Sequence, residues 1–203
     1  MEVRHSGKDS PGSSYAGFVL TGGRSSRMGQ DKAALPFGDA SLLEHVAGCV
    51  RAAVSNVASN VASSVTLIGA PERYAHLGLP AIADRYENCG PLGGVCTALE
   101  ITTADWNLIV ACDMPGVTAD FLGSLLDAAG HGNAADCLIP VTSDGLHPLC
   151  AVYHRRALAV AQRQILDKSF KMHDFVASLQ LAKFPAAVAF LENINTPLDW
   201  ISR

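Results

Sequence analysis

Short apolar runs alternate along this chain with stretches whose apolar positions recur every three or four residues. The runs predict strands at 16–21, 64–69, 79–83, 107–112, 136–141, 147–153 and 186–192. The periodic stretches predict helices at about 41–54, 71–77, 92–102, 118–130, 155–167, 170–181 and 196–202. In "SLLEHVAGCVRAAV", Leu42, Leu43, Val46, Val50 and Val54 share one helical face, and Ser41 is a suitable N-cap. "TADFLGSLLDAAG" carries a start signal in Thr118 and a stop signal in Gly130. Strands alternating with helices predict an α/β layer fold with a mainly parallel sheet. The duplicated Ser-Asn-Val-Ala in "SNVASNVASS" has too short a period for a solenoid and reads as the ragged end of the first long helix.

The 203 residues are 49% hydrophobic and 17% charged, which suits one substantial core. The opening "MEVRHSGKDSPGSS", residues 1–14, is polar and rich in Ser, Gly and Pro. It reads as a loose tail ahead of a single domain over 15–203, and it lacks the apolar stretch of a secretory signal. No run is long and apolar enough for a membrane span. The formal charge is -4 and the cations are scattered, so no basic stripe for nucleic acid is present. None of the six cysteines forms a CxxC pair, and most sit in apolar segments. Reduced, buried thiols in a cytoplasmic protein follow.

The chemistry begins where the first strand ends. "GFVLTGGRSSRMGQDKAALPF", residues 17–37, passes from a buried strand to Gly22, Gly23, Arg24, Arg27, Gly29, Asp31 and Lys32. In parallel α/β sheets ligands bind beyond the carboxyl ends of the strands. Glycines there turn sharply and bring backbone N–H groups close to an anion. Arg27 offers a fork to phosphate oxygens and Lys32 a mobile point charge. The pattern is a triphosphate cradle, yet it is neither a P-loop nor GxGxxG. The bland alternative is an exposed turn with solvated charges.

"LTGGRSSRMGQDKAAL" resembles the nucleotidyltransferase signature L-x-G-G-x-S-x-R-M-G-x-D-K, in the form found in molybdenum cofactor guanylyltransferases and their relatives. Further matches follow in order: "DRYENCGPLGGVCTAL" at 84–99, "VACDMP" at 110–115, "HPLCAVY" at 147–153 and "ENINTPLDW" at 192–200. The resemblance implies a Rossmann-like three-layer α/β/α nucleotidyltransferase fold with a mostly parallel sheet. It implies nucleotide contacts from Leu20, Thr21, Gly22, Gly23, Lys32, Asp84, Gly90 and Pro91, and a molybdopterin-side role for Asn193 and Asn195. It also implies Mg2+ on Asp113, between nucleotide and acceptor phosphate. Arg27, Lys32 and Asp113 would be the catalytic set. The sequence departs from the better-known bacterial members at the second strand. Ile68 or Gly69 stands there where an asparagine contacts the nucleotide, which weakens the argument for guanine.

Each of these residues also has a structural reading. Asp113 ends an apolar strand and could be a turn aspartate before Met114-Pro115. The glycines of "CGPLGGV" could serve only a tight loop into the next helix. Asp84 could be a solvated loop charge. Asn193 and Asn195 alternate about Ile194, so both amides share one face, and either could cap a final helix. His147 lacks partners at ligand spacing and reads as a structural histidine at a strand start, with the acceptor pocket as its alternative. Lys168 and Lys171 read as the solvated entrance to a helix, with an anionic acceptor as the alternative.

The expected reaction is transfer of GMP from GTP to Mo-molybdopterin with loss of pyrophosphate, aided by alignment and charge neutralisation. GTP and Mo-molybdopterin are the expected small-molecule partners. Transient contact with molybdopterin-synthesis proteins or a molybdoenzyme is a further expectation. The rivals are a cytidylyltransferase of the same fold, acting on molybdopterin or another phosphorylated acceptor, and a non-catalytic nucleotide-binding adaptor.

Overall fold

The computed structural model describes residues 13–22, 32–57, 65–131 and 134–192. Strand β1 (Tyr15–Leu20) is followed by a short 3-10 turn at Lys32–Ala34 and a small ribbon of β2 (Pro36–Phe37) and β3 (Ala40–Ser41). Helix α1 (Leu42–Val57) leads to β4 (Val65–Gly69), α2 (Pro71–Tyr74) and β5 (Ala81–Ala83). Helix α3 (Pro91–Ile101), β6 (Trp106–Ala111) and α4 (Ala119–Gly130) come next. The remainder runs through β7 (Cys137–Thr142), β8 (Gly145–Leu146), β9 (Cys150–His154), α5 (Leu158–Leu166), α6 (Met172–Ala177) and β10 (Leu181–Pro185).

The main sheet has the order β10-β7-β9-β6-β1-β4-β5, with β8 paired to β7. Strand β1 is central and pairs in parallel with both β4 and β6. Strand β9 runs antiparallel to β6 and to β7, so β6 and β7 point the same way. Alternation along β1 sends Val19 into the core beneath α1 and α4, and Phe18 and Leu20 into the core beneath α3, α5 and α6. Two apolar layers on the two faces of one sheet make the three-layer α/β/α fold expected from the sequence.

Local signals explain the helix starts. Glu44 accepts from the Ser41 N–H at 2.8 Å and from the Ser41 hydroxyl at 2.7 Å, a capping box that holds the Glu44 carboxyl below its usual range. The Thr118 hydroxyl accepts from the Phe121 N–H at 3.2 Å and caps α4. At the amino edge of the sheet, Ser14 donates to the Asp105 carboxylate through its N–H at 3.1 Å and its hydroxyl at 2.8 Å.

Two stretches differ from the sequence expectation. The helix expected at 170–181 ends at Ala177, and the strand expected at 186–192 is replaced by a 3-10 turn at Val188–Phe190. The last described strand is β10, five residues earlier in the chain, with Ala182 and Phe184 half-buried and Lys183 and Pro185 exposed. It lies at the edge of the sheet, where proline is tolerated. The expected helix at 196–202 lies outside the described residues. No helix among the described residues is long and apolar enough to cross a membrane.

Candidate functional site

The carboxyl ends of β1, β4, β5, β6 and β7 open onto one edge of the sheet, where an α/β fold places its ligands. The chain leaves β1 at Thr21. The Thr21 N–H donates to the Ile68 carbonyl at 2.8 Å, and the Thr21 hydroxyl donates to the same oxygen at 3.0 Å. A Cβ on Gly69 would strike Thr21 Oγ1 and come within 3.1 Å of the Gly22 N. Glycine at the end of β4 thus lets the start of the glycine turn lie directly against it. Gly23 and Arg27 lie outside the described residues, and of Lys32 only the backbone is described, at the head of the 3-10 turn.

The second wall comes from the loop between β5 and α3. Asp84 is half-buried, and its Oδ1 accepts from the Tyr86 N–H and from the Thr97 hydroxyl, each at 3.0 Å. Thr97 Oγ1 in turn accepts from the Arg85 N–H at 3.0 Å. Thr97 and Asn107 are the buried polar residues recorded in the described chain, and a threonine in the apolar "PLGGVCTALEI" was the available signal for this brace. Gly90 stands before α3 at φ 61°, in the left-handed region, and Pro91 opens the helix. A Cβ on Gly93 would lie 2.6 Å from the Tyr86 carbonyl oxygen and 3.1 Å from Asp84 Oδ2. Gly93 therefore seats the helix start against the Asp84 loop, while Gly94 lets α3 close onto Leu20 of β1. Gly90 and Pro91 are exposed and follow β5, whose carboxyl end lies at the same edge as that of β1.

Asp113 follows β6. The Cys112 N–H donates to the Leu20 carbonyl at 3.1 Å, which draws the Asp113 loop against the end of β1. Asp113 is half-buried, with Oδ1 inside the protein. No cluster of three or more His, Cys, Asp or Glu capable of holding a metal occurs among the described residues. A single carboxylate at this edge is a donor set of the kind Mg2+ uses, since that ion takes one or two carboxylates and fills its remaining positions with phosphate oxygens and water.

The loop after Asp113 is also a seat for the C-terminal segment. A Cβ on Gly116 would overlap the Ala189 carbonyl oxygen and lie 3.3 Å from the Phe190 Cα. Phe190 stacks on Phe121 at a ring-centroid distance of 4.8 Å, and Leu191 is buried. These contacts bring the chain to residue 192 beside the Asp113 loop; Asn193 and Asn195 themselves lie outside the described residues. Gly116 went unnoticed in the sequence, where nothing marks it off from an ordinary turn glycine. Gly116→Ala is expected to lower the unfolding free energy by about 1–3 kcal/mol, because backbone must move to admit the methyl group. Urea unfolding checks this, and a variant as stable as the wild type would mean that the 188–190 turn yields without cost.

A mostly parallel sheet between helical layers, with the start of α3 and the Asp113 loop at its carboxyl edge, has the architecture of an α/β nucleotidyltransferase. Residues 17–182 match the family model described as MobA-like NTP transferase domain. The chain is 32% identical over 190 residues to the probable molybdenum cofactor guanylyltransferase of Carboxydothermus hydrogenoformans, covering 90% of this chain and 91% of that protein. Its fold superposes with a TM-score of 0.69 on molybdopterin-guanine dinucleotide biosynthesis protein A from Archaeoglobus fulgidus, at 24% identity and over 92% of this chain and 95% of that one. A second neighbour, Rv0371C from Mycobacterium tuberculosis in complex with manganese, superposes with a TM-score of 0.67 at 19% identity, over 93% and 97% of the two chains. The chain belongs to the MobA-like NTP transferase family.

Proposed function

We propose that this protein transfers GMP from GTP to the terminal phosphate of Mo-molybdopterin, releasing pyrophosphate and forming Mo-molybdopterin guanine dinucleotide. The observation that carries this reading is the meeting of three elements at one edge: the turn after β1, the start of α3 and the Asp113 loop. It is supported by identity along nearly the whole chain to proteins named probable molybdenum cofactor guanylyltransferases.

An oxygen of the acceptor phosphate attacks the α-phosphorus of GTP, and the bond from that phosphorus to the α–β bridging oxygen breaks. The attacking oxygen is already anionic at neutral pH, so no general base is required. Leu20, Thr21, Gly22 and Gly23 line the triphosphate with backbone, and Arg27 and Lys32 neutralise the charge that grows on the leaving pyrophosphate. Gly90, Pro91 and Asp84 form the wall toward the nucleoside. With Asp84 Oδ1 engaged by Tyr86 and Thr97, the nucleotide contact falls to Oδ2. Asp113 would hold Mg2+, which would supply charge neutralisation at the reacting phosphates. Asn193 and Asn195 serve the molybdopterin side.

Gly69 stands at the end of β4, so only backbone is offered there to a base. Titration of the protein with GTP, CTP and ATP in the presence of Mg2+ tests base choice, and GTP is expected to bind at least tenfold more tightly than the other two. Tighter CTP binding, with pyrophosphate release from CTP and molybdopterin, would replace guanylyl by cytidylyl transfer. Binding of GTP without pyrophosphate release in the presence of acceptor would turn the reading toward an adaptor.

A further inference from the structure

His147 lies on the other side of the Asp113 loop from the nucleotide cradle. Strand β9 pairs with β6 through Val110 and Cys150, and the Ala111 N–H donates to the Leu149 carbonyl at 2.7 Å. From that last pair, one chain continues to Asp113 and the other reaches back to His147, both at the carboxyl edge. The seat of His147 is fixed from several directions. Its N–H donates to the Pro140 carbonyl at 3.0 Å, and its carbonyl accepts from the Cys150 N–H at 3.1 Å. The neighbouring Pro148 carbonyl accepts from the hydroxyl of the fully buried Tyr153 at 2.7 Å.

The imidazole is oriented as well. Its Nε2 is 2.8 Å from the Thr142 hydroxyl, at the carboxyl end of β7. Thr142 Oγ1 already accepts from the Asp144 N–H at 3.1 Å. With the threonine O–H donating to Nε2, the imidazole proton is carried on Nδ1. Nδ1 has no hydrogen bond among the described residues. Partial burial holds the imidazole below its ordinary pKa against the opposing pull of Asp144, so the ring is a neutral donor. A hairpin that needed only closure would be served by the backbone bonds already present between β7 and β8.

We propose that His147 is an acceptor-side binding residue, donating from Nδ1 to an oxygen of the incoming acceptor phosphate, with Thr142 as the residue that sets its tautomer and direction. This rests on the nucleotidyl-transfer reading above, and it assigns the β7–β9 side of the edge to the acceptor as β1, β4 and α3 take the nucleotide. In-line transfer requires the attacking acceptor oxygen and the departing pyrophosphate to lie on opposite sides of the α-phosphorus, and His147 and the end of β1 flank the Asp113 loop in that sense.

The test compares wild type with His147→Phe, His147→Asn, Thr142→Val and Thr142→Ser, measuring pyrophosphate release against molybdopterin and GTP separately, with GTP affinity by calorimetry. His147→Phe is expected to raise the KM for molybdopterin about tenfold or more while the Kd for GTP stays within twofold. His147→Asn, which keeps an N–H donor, recovers part of the loss. Thr142→Val moves the acceptor KM in the same direction and Thr142→Ser restores it. An unchanged acceptor KM in His147→Phe, with or without a lower melting temperature, overturns the proposal and leaves only a hairpin clasp. An equal rise in the GTP constant overturns the side assignment. Wild-type protein that turns over no GTP with molybdopterin would instead remove the reaction itself, a result distinct from either of these.

Discussion

Replacing Asp113 with asparagine is expected to lower kcat by about two to three orders of magnitude, a loss of roughly 3–4 kcal/mol of transition-state stabilisation. The substitution keeps the shape of the side chain and removes its charge. An amide oxygen would still reach toward a cation, but it would no longer offset the charge of Mg2+ and would hold the ion less firmly. The backbone that carries Asp113 is also held by its neighbours, since the Cys112 N–H bonds the Leu20 carbonyl and Met114 and Val117 are buried in the core. The fold should therefore survive, and an unchanged melting temperature separates a lost ion from a lost structure. Mg2+ dependence gives a second readout: the variant should need far more Mg2+ for half-maximal rate. A variant within tenfold of the wild-type kcat at ordinary Mg2+ would remove Asp113 from the catalytic set.

Much of this site could be read along the chain because its parts are local. The first strand up to Leu20, the Ser41 cap and the Thr118 cap each need only a few consecutive residues, and each stands as expected, with Glu44 closing the Ser41 cap into a box that the sequence reading did not name. Asp84 shows the limit. Its neighbours in sequence suggest either a ligand contact or a solvated charge, whereas its main bond reaches Thr97 two turns into α3, and the carboxylate braces the loop it belongs to. Gly116 is similar, since the reason for it lies in the backbone of Ala189. The misread strand has a comparable cause. "AAVAFL" is apolar enough for a strand, yet it is used as a turn clamped on Phe121 and Gly116, while the more polar "LAKFP" makes the sheet edge. Edge strands are half-solvated, so their hydrophobic signal is weak where their pairing is strong. His147 is the furthest from a sequence reading, because its seat is assembled from Pro140, Thr142 and Tyr153 through strand pairing.

Lys32→Ala is expected to reduce kcat by about two orders of magnitude or more, with Lys32→Arg recovering part of the loss. The residue stands where the chain returns from the glycine turn to the core. Ala33, next in sequence, is buried against the α1 layer, and the Leu42 N–H donates to the Leu35 carbonyl at 2.8 Å. Phe37 stacks on His45 with ring centroids 4.2 Å apart, so the ribbon after the turn is pinned to the first turns of α1. The backbone that follows Lys32 is thereby anchored to the start of α1. During transfer, negative charge moves onto the departing pyrophosphate, and a fixed cation there acts more strongly on the transition state than on bound GTP. The loss should consequently fall mainly on kcat, with a smaller change in GTP affinity. Arginine keeps the charge but spreads it over a planar fork, which explains a partial recovery. A loss confined to GTP affinity, with kcat unchanged, would make Lys32 a ground-state tether and shift the charge-stabilising role to Arg27 alone.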